Sequence, residues 1–301
     1  MTAQGRRVLV TGAGGFVGRA LCPALRRASW SVVPAGRDET GDIGPETDWR
    51  PLLEGVDAVV HLAARVHVIR DEARNPSAAF DRANHQATAR LAGQAAEAGI
   101  RRFLYLSSVK VHGDHSDRPL SAADAPAPTD PYGRSKLAAE QALARHSGRM
   151  ATVVLRPPLV YGPGVKGNFL SLLRAVDRGL PLPLAAIDNR RSLIQVENLA
   201  DAIRAALDAP PGVYLPSDRD DVSTAMLVRR VAAALGRPAR LFPAPPAILR
   251  GLAAAVGKSA AVERLIGTLT VDGALPGWHP LYSMSEGMTA AATWYRMERS
   301  A

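Results

Sequence analysis

A run of glycines stands where an apolar strand gives way to a helix. Thr11-Gly12-Ala13-Gly14-Gly15-Phe16-Val17-Gly18 follows Val8-Leu9-Val10 and leads into a helical stretch from Gly18 to Ala28. Glycine permits a tight turn there and lets backbone amides approach a pyrophosphate at the positive end of a helix. Strand, glycine turn and helix in that order predict a dinucleotide site framed by Gly12, Gly15 and Gly18.

The rhythm that begins there continues through the first half of the chain. Ser31 to Ala35, Ala58 to Leu62, Arg102 to Ser107 and Thr152 to Leu155 read as short apolar strands, with an alanine-rich helix from Asn84 to Ala98 between two of them. Such alternation predicts an α/β fold with a doubly wound parallel sheet covered on both faces. The rhythm breaks after Tyr161-Gly162-Pro163-Gly164. A strand–helix pair from Ile194 to Leu207 is expected to return to the sheet, and the chain from about Ser217 reads as mostly helical, broken by Pro243, Pro245 and Pro246. The expected organisation is a nucleotide-binding domain over residues 1–165, rejoined by 193–215, and a smaller helical substrate lobe over 166–301.

Composition narrows the function classes. Of the 301 residues, 47% are apolar, enough for a sizeable core. The net charge of +9 comes from arginines scattered along the chain, with no long basic run, so nucleic-acid binding is not expected. Cys22 is the only cysteine, which excludes an intrachain disulfide and fits a reducing compartment. No apolar segment approaches the ~20 residues needed to span a bilayer, and no signal-like stretch precedes the first strand. A cytoplasmic protein without a membrane span is expected. No metal site is predicted.

Tyr132-Gly133-Arg134-Ser135-Lys136 places a phenol and an ammonium a turn apart on one helix face. A cation there favours the phenolate and would draw the tyrosine pKa towards neutrality, as a proton-transfer group needs. Ser108, at the end of a strand, can donate a hydrogen bond to a substrate oxygen that gains charge. The second strand ends Ala35-Gly36-Arg37-Asp38. A carboxylate usually bonds the ribose hydroxyls of NAD at this place, whereas Arg37 can pair with a 2′-phosphate. NADP(H) is therefore the first expectation and NAD(H) the second, with Asp38 as the carboxylate in that case. Asp42 and Ile43 are candidates to flank the adenine.

The motifs occur in one order: the glycine run, His61-Leu62-Ala63-Ala64, Ser107-Ser108, then Tyr132 and Lys136. In that order the chain resembles the extended short-chain dehydrogenase/reductases, the NAD-dependent epimerase/dehydratase family. Leu155-Arg156-Pro157 to Gly164, Arg191-Ser192-Leu193-Ile194 and Gly277-Trp278-His279-Pro280 resemble later segments of that family. The resemblance implies a Rossmann domain in which Gly12, Gly15, Phe16, Val17, Gly18, Leu62, Ala63, Ala64, Tyr132 and Lys136 hold the dinucleotide. It implies Ser108, Tyr132 and Lys136 as the catalytic set, and a UDP-linked sugar as substrate. Arg191 would clamp its diphosphate, and Asn168 and Arg65 would also reach it; His67 is a further ligand candidate. A homodimer through two long helices, using Gln94, Ala95, Ala98 and the stretch from Ala138 to Ala144, is implied as well.

Departures from the pattern shape the choice of reaction. Val109 and Lys110 stand where family dehydratases carry an acid pair, so sugar dehydration is not expected. His112 and Leu159 also replace residues common in the family. The Ser108 loop, with Arg65 and His67, resembles reductases for UDP-linked 4-keto-6-deoxy amino sugars of bacterial polysaccharides. A UDP-4-keto sugar 4-reductase is the first expectation and a UDP-hexose 4-epimerase the second. A non-catalytic dinucleotide sensor is the reading of another class.

Overall fold

The computed structural model describes residues 6–66, 75–255 and 259–300. Val8, Leu9 and Val10 have no exposed surface, which explains why their strand reads as an unbroken apolar run: side chains pointing to either face meet a layer of helices. The strands are β1 (Arg7–Thr11), β2 (Ser31–Ala35), β3 (Ala58–His61), β4 (Arg102–Leu106), β5 (Ala151–Leu155), β6 (Leu159–Tyr161), β7 (Leu193–Gln195) and β8 (Gly212–Tyr214). Six of them form one sheet in the order β2-β1-β3-β4-β5-β8, every pair parallel. The chain moves from β1 outwards to β2 and then back past β1 to β3. The crevice beyond the carboxyl ends of β1 and β3 is therefore the switch point, where such sheets bind ligands.

The helices are α1 (Phe16–Arg27), α2 (Arg37–Thr40), α3 (Arg50–Leu53), α4 (Pro76–Phe80), α5 (Ala87–Glu97), α6 (Pro131–Ala144), α7 (Gly167–Asp177), α8 (Val196–Ala206), α9 (Thr224–Leu235), α10 (Pro246–Ala255), α11 (Ser259–Ile266) and α12 (Met284–Ser300). Between α4 and α5 the chain runs as a π-helical turn, Asp81–Gln86. One face of the sheet is covered by α1 and α8, through Leu21, Leu25, Leu199 and Ile203. The other is covered by α5 and α6, through Leu91, Ala95, Ala139 and Leu143. Each large aliphatic side chain so enclosed contributes about 1.5–3 kcal/mol.

A separate core unites α7, α9 and α12 around Phe169, Leu173, Val228 and Met288. The strand expected to return near Ile194 behaves differently from expectation. β7 pairs with β6 in a two-stranded sheet of its own, while α8 packs on α1 and β8 supplies the sixth strand of the main sheet. The helix face proposed for a dimer contact also differs. Ala95 has no exposed surface, and Gln94 is buried, accepting from Trp49 N and donating to Asp48. Both are used inside the subunit, so they do not lie on a face open to a partner. Among the described residues no helix is long and apolar enough to cross a membrane, and no cluster of metal-ligating side chains occurs.

Candidate active site

The glycine turn fits a pyrophosphate, and its three framing glycines do so for different reasons. Gly12 has φ +69°, and a Cβ there would lie 2.9 Å from Ala63 N. At Gly18 a Cβ would lie 2.4 Å from Gly12 O and 2.5 Å from Ala13 O, so the first turn of α1 closes onto the loop only over glycine. Gly15 is the N-cap of α1. Its side-chain-free cap and the lack of acidic residues in the first turn leave the leading amides of the helix open to an anion. Gly14 faces open space, as a residue beneath an approaching ligand should. Phe16 and Val17 begin the helix, and Leu62, Ala63 and Ala64 line the neighbouring loop that leaves β3.

A directional hydrogen-bond chain ties these two loops to α6 (Pro131–Ala144). Burial draws the His61 pKa down to about 3, so its ring is neutral. Thr88 gives its hydroxyl hydrogen to Asn84 O (2.5 Å), so it accepts from His61 Nε2 (3.0 Å). His61 Nδ1 then accepts from the Thr11 hydroxyl (2.6 Å), which in turn accepts from Ala63 N (3.2 Å). The side chain of Asn84 continues the chain. It accepts from Arg65 N (2.8 Å) and donates to Arg65 O (3.0 Å) and to Ser135 Oγ (3.0 Å), and Ser135 donates to Tyr132 O (2.8 Å). Thr88 and Asn84 carry no local motif in the sequence, and only the tertiary fold shows their role and that of the Thr11 hydroxyl. The π-turn is the one local sign, since such turns recur at functional sites.

α6 carries the candidate pair Tyr132 and Lys136. Asp130 caps the helix by accepting from Gly133 N (2.7 Å), and Pro131 occupies its first position. The partly buried Tyr132 ring lies edge-on to Phe80, with centroids 6.0 Å apart, and the Arg65 guanidinium lies over Phe80 at 5.8 Å. Arg65, Phe80 and Tyr132 thus share one wall. The Ser108 hydroxyl interacts with the Tyr132 phenol and holds its pKa down, but burial outweighs it and pushes the phenol up to about 12. Lys136 is buried, donates to Leu106 O (2.8 Å) and lies 4.7 Å above the Tyr105 ring. Desolvation draws its pKa down to about 7, against the opposing pull of Glu140. The expected lowering of the tyrosine pKa by this lysine is therefore absent in the protein alone. The ammonium is 5.9 Å from the Tyr132 ring, and burial weakens the cation while it penalises the phenolate.

Beneath the site lies a buried ion pair that spacing did not announce. Arg156 donates two bonds to Glu140 (3.1 and 2.5 Å) and a third contact reaches His112 Nε2 (2.9 Å). Glu140 also accepts from Ser107, so the residue after β4, α6 and the residue after β5 meet at one carboxylate, and the turn Val109–His112 joins them through Arg156. Lys110 pairs with Asp114 and with Asp130 (3.1 Å), which ties that turn to the cap of α6.

At the far end of β2, Arg37 pairs with Asp42 (3.2 Å), and both side chains are almost fully exposed. A carboxylate that the sequence reading passed over, Glu39, accepts from Gly36 N at 2.7 Å. Asp38 and Glu39 both stand in the first turn of α2, whereas Ile43 packs into the core. On the lobe side, Arg191 is largely buried and donates to Arg264 O (2.5 Å) and Gly267 O (3.1 Å). Burial and the neighbouring Arg264 cation lower its pKa to about 10, and both arginines act on Lys110. Asn168 is the second residue of α7 and is exposed. His67 lies outside the described residues.

Comparison with known proteins bears on this arrangement. Residues 8–215 match the pattern of the NAD dependent epimerase/dehydratase family. Over 311 aligned positions the chain is 40% identical to a UDP-glucose 4-epimerase of Vibrio cholerae, covering 95% of this chain and 94% of that protein. It is 31% identical to a ceramide reductase of Caulobacter vibrioides, covering 80% of this chain and 75% of the relative. Among solved structures, that of MoeE5 in complex with UDP-glucose and NAD is similar, with a TM-score of 0.76 and 27% identity over 97% of this chain and 99% of that one.

Proposed function

This chain belongs to the NAD-dependent epimerase/dehydratase family, and we propose that within it the enzyme inverts C4 of a UDP-hexose using a retained NAD. The observation that carries this reading is the end-to-end likeness to a UDP-glucose 4-epimerase, supported by the Ser108 hydroxyl on the Tyr132 phenol and Lys136 at 5.9 Å from its ring. Domain roles follow: residues 1–165 with α8 and β8 (196–214) for the dinucleotide, and the remainder of 166–301 for the sugar nucleotide.

NAD, when bound, would supply a hydride acceptor and a positive charge. Gly12, Gly15, Gly18 and the leading amides at Phe16 and Val17 would hold its pyrophosphate. Leu62, Ala63 and Ala64 would flank it. Tyr132, which acts as base only as the phenolate, would take the proton of the C4 hydroxyl while the bound cofactor supplies the acceptor for the C4 hydride, leaving a 4-ketone. Ser108 donates to that ketone oxygen. Tyr132 returns the proton when hydride comes back to the opposite face, so the phenol works twice per turnover and there is no net redox change. Arg191 and Asn168 hold the nucleotide, and Arg65 faces the sugar from the Phe80 wall. Asp38 and Glu39 at the end of β2 oppose a 2′-phosphate and favour a ribose diol, hence NAD over NADP. A homodimer remains part of the proposal through surfaces other than Gln94 and Ala95.

The first expectation from sequence, a UDP-4-keto sugar 4-reductase, retains one supporting observation: Arg37 is exposed and its partner Asp42 equally so, which leaves the guanidinium able to turn to a 2′-phosphate. The two readings separate in one assay. Purified protein without added cofactor should interconvert UDP-glucose and UDP-galactose at constant absorbance at 340 nm. Stoichiometric oxidation of NADPH by a UDP-4-keto sugar, with no interconversion, would establish the reductase instead. Dinucleotide binding with neither reaction would return the sensor reading.

A further inference from the structure

On the outer side of the elements that frame the active site lies a groove of about 800 Å³, formed by α1, the loop after β6, α7 and the end of α12. Arg19, Lys166, Arg174 and Arg178 line it. Arg299, at the same groove, pairs with Asp177, which also receives Arg237. Asp177 also accepts from the Tyr295 hydroxyl and so has three partners, and Glu298 is the one carboxylate on the lining. None of Arg19, Lys166, Arg174 and Arg178 has an ion pair or hydrogen bond from its side chain among the described residues. Four uncompensated cations thus face one concavity, whose wall is completed by the half-buried Trp294.

We propose that this groove is a second nucleotide site, which takes a nucleoside polyphosphate: its phosphates on Arg19, Lys166, Arg174 and Arg178, its base against Trp294. Several cations in one concavity call for a ligand with several negative charges. An indole face beside them selects a ligand that also carries a flat ring, which stacks and is itself held by the neighbouring guanidinium groups. The volume suits a nucleotide and exceeds what a single phosphate would fill. No residue of the glycine turn lines the groove, although it touches the same helix. Arg19 lies one turn into α1, and the terminal nitrogen of its guanidinium is 3.4 Å from where a Cβ of Gly164 would stand. α7, which carries Arg174 and Arg178, begins beside Asn168. A ligand here would bridge the helix that receives the dinucleotide and the helix proposed to meet the sugar nucleotide. The proposal does not depend on which C4 reaction the enzyme performs.

The test uses the full-length protein with its retained cofactor and follows tryptophan emission during titration with UTP, ATP and inorganic tripolyphosphate. The Trp294→Phe variant isolates the signal of Trp294. Saturable quenching by the nucleotides is expected, weaker with tripolyphosphate, and weakened in turn by raising salt from 50 to 300 mM. The Arg174→Ala/Arg178→Ala variant should bind each nucleotide at least tenfold more weakly while its turnover and melting temperature stay those of the parent. Nucleotide affinity equal in parent and double variant would overturn the site. Tripolyphosphate binding as tightly as UTP and ATP would overturn the nucleotide assignment.

Discussion

Lys136 stands 5.9 Å from the Tyr132 ring but gives its hydrogen bond to the carbonyl of Leu106, at 2.8 Å. The lysine is thus anchored to the end of β4, and its influence on the phenol is that of a fixed, desolvated charge. Tyr132 answers first to its own burial, then to the Ser108 hydroxyl and the Asp130 carboxylate.

Replacing the phenol tests this division of labour. Tyr132→Phe is expected to lower kcat by about 10²–10⁴-fold, the usual contribution of a positioned acid–base group. The ring stays against Phe80, so cofactor retention should match the parent. Both are read from product assays and from the NAD released on denaturation. Activity within a few-fold of the parent would remove Tyr132 from the proton path.

Lys136 carries a pH signature. Its pKa falls from 10.5 to about 7 on folding, so between those values the unfolded chain binds more protons than the native one. Stability of the cofactor-free protein should therefore rise with pH across roughly pH 7 to 10.5, with the penalty at its fullest below about pH 7. Tyr132 acts oppositely, since its contribution is present below about pH 10 and lost towards about pH 12. Lys136→Met should flatten the first of these slopes in thermal melts at pH 6.5 to 9.5 and abolish turnover. An unchanged slope would contradict the burial of the ammonium.

Three glycines separate packing from access. Gly18→Ala should destabilise by about 1–3 kcal/mol, because its Cβ would collide with two carbonyl oxygens. Gly133→Ala should cost a similar amount and also lower kcat, since its Cβ would lie 2.5 Å from Lys110 O and push away the turn that presents Ser108. Gly14→Ala meets nothing within 4 Å and should melt as the parent does, while it loosens dinucleotide retention. Urea denaturation and bound-NAD assays on the three variants give the comparison.

The Glu140–Arg156 pair should behave as a buried charge couple. Glu140→Gln leaves Arg156 enclosed without a counter-ion and is expected to cost about 3–5 kcal/mol. Glu140→Leu/Arg156→Met should recover most of that loss, measured by urea denaturation of the single and double variants. If the double variant is no more stable than the single, the cost arises elsewhere, with Ser107 as the next partner to examine.

What the sequence disclosed was local. The glycine turn and the Tyr132–Lys136 spacing are legible because each lies within one element, where period and position carry the chemistry. Asn84, Thr88 and Glu140 were passed over because their partners are 16 to 51 residues away, and only the packing of α5 and α6 on the sheet brings them together. The tyrosine pKa failed for the same reason, since spacing specifies a neighbour and says nothing of solvent. Arg37 was legible as a cation, but Glu39 at Gly36 N depended on how tightly α2 turns. β7 was visible as a strand, yet nothing local distinguishes a partner in β6 from one in the main sheet.

The π-turn at Asp81–Gln86 has an architectural consequence. One surplus residue in a helix rotates everything before it by about 100° relative to everything after. α5 can therefore keep Leu91 and Ala95 locked against the sheet while the preceding turn aims Asn84 at Arg65 and Ser135. The helix works as a shaft with a keyed joint: its core half and its chemical half obey different phases. Deleting one residue within 81–86 should cost little in folding and yet swing Asn84 out of register with α6.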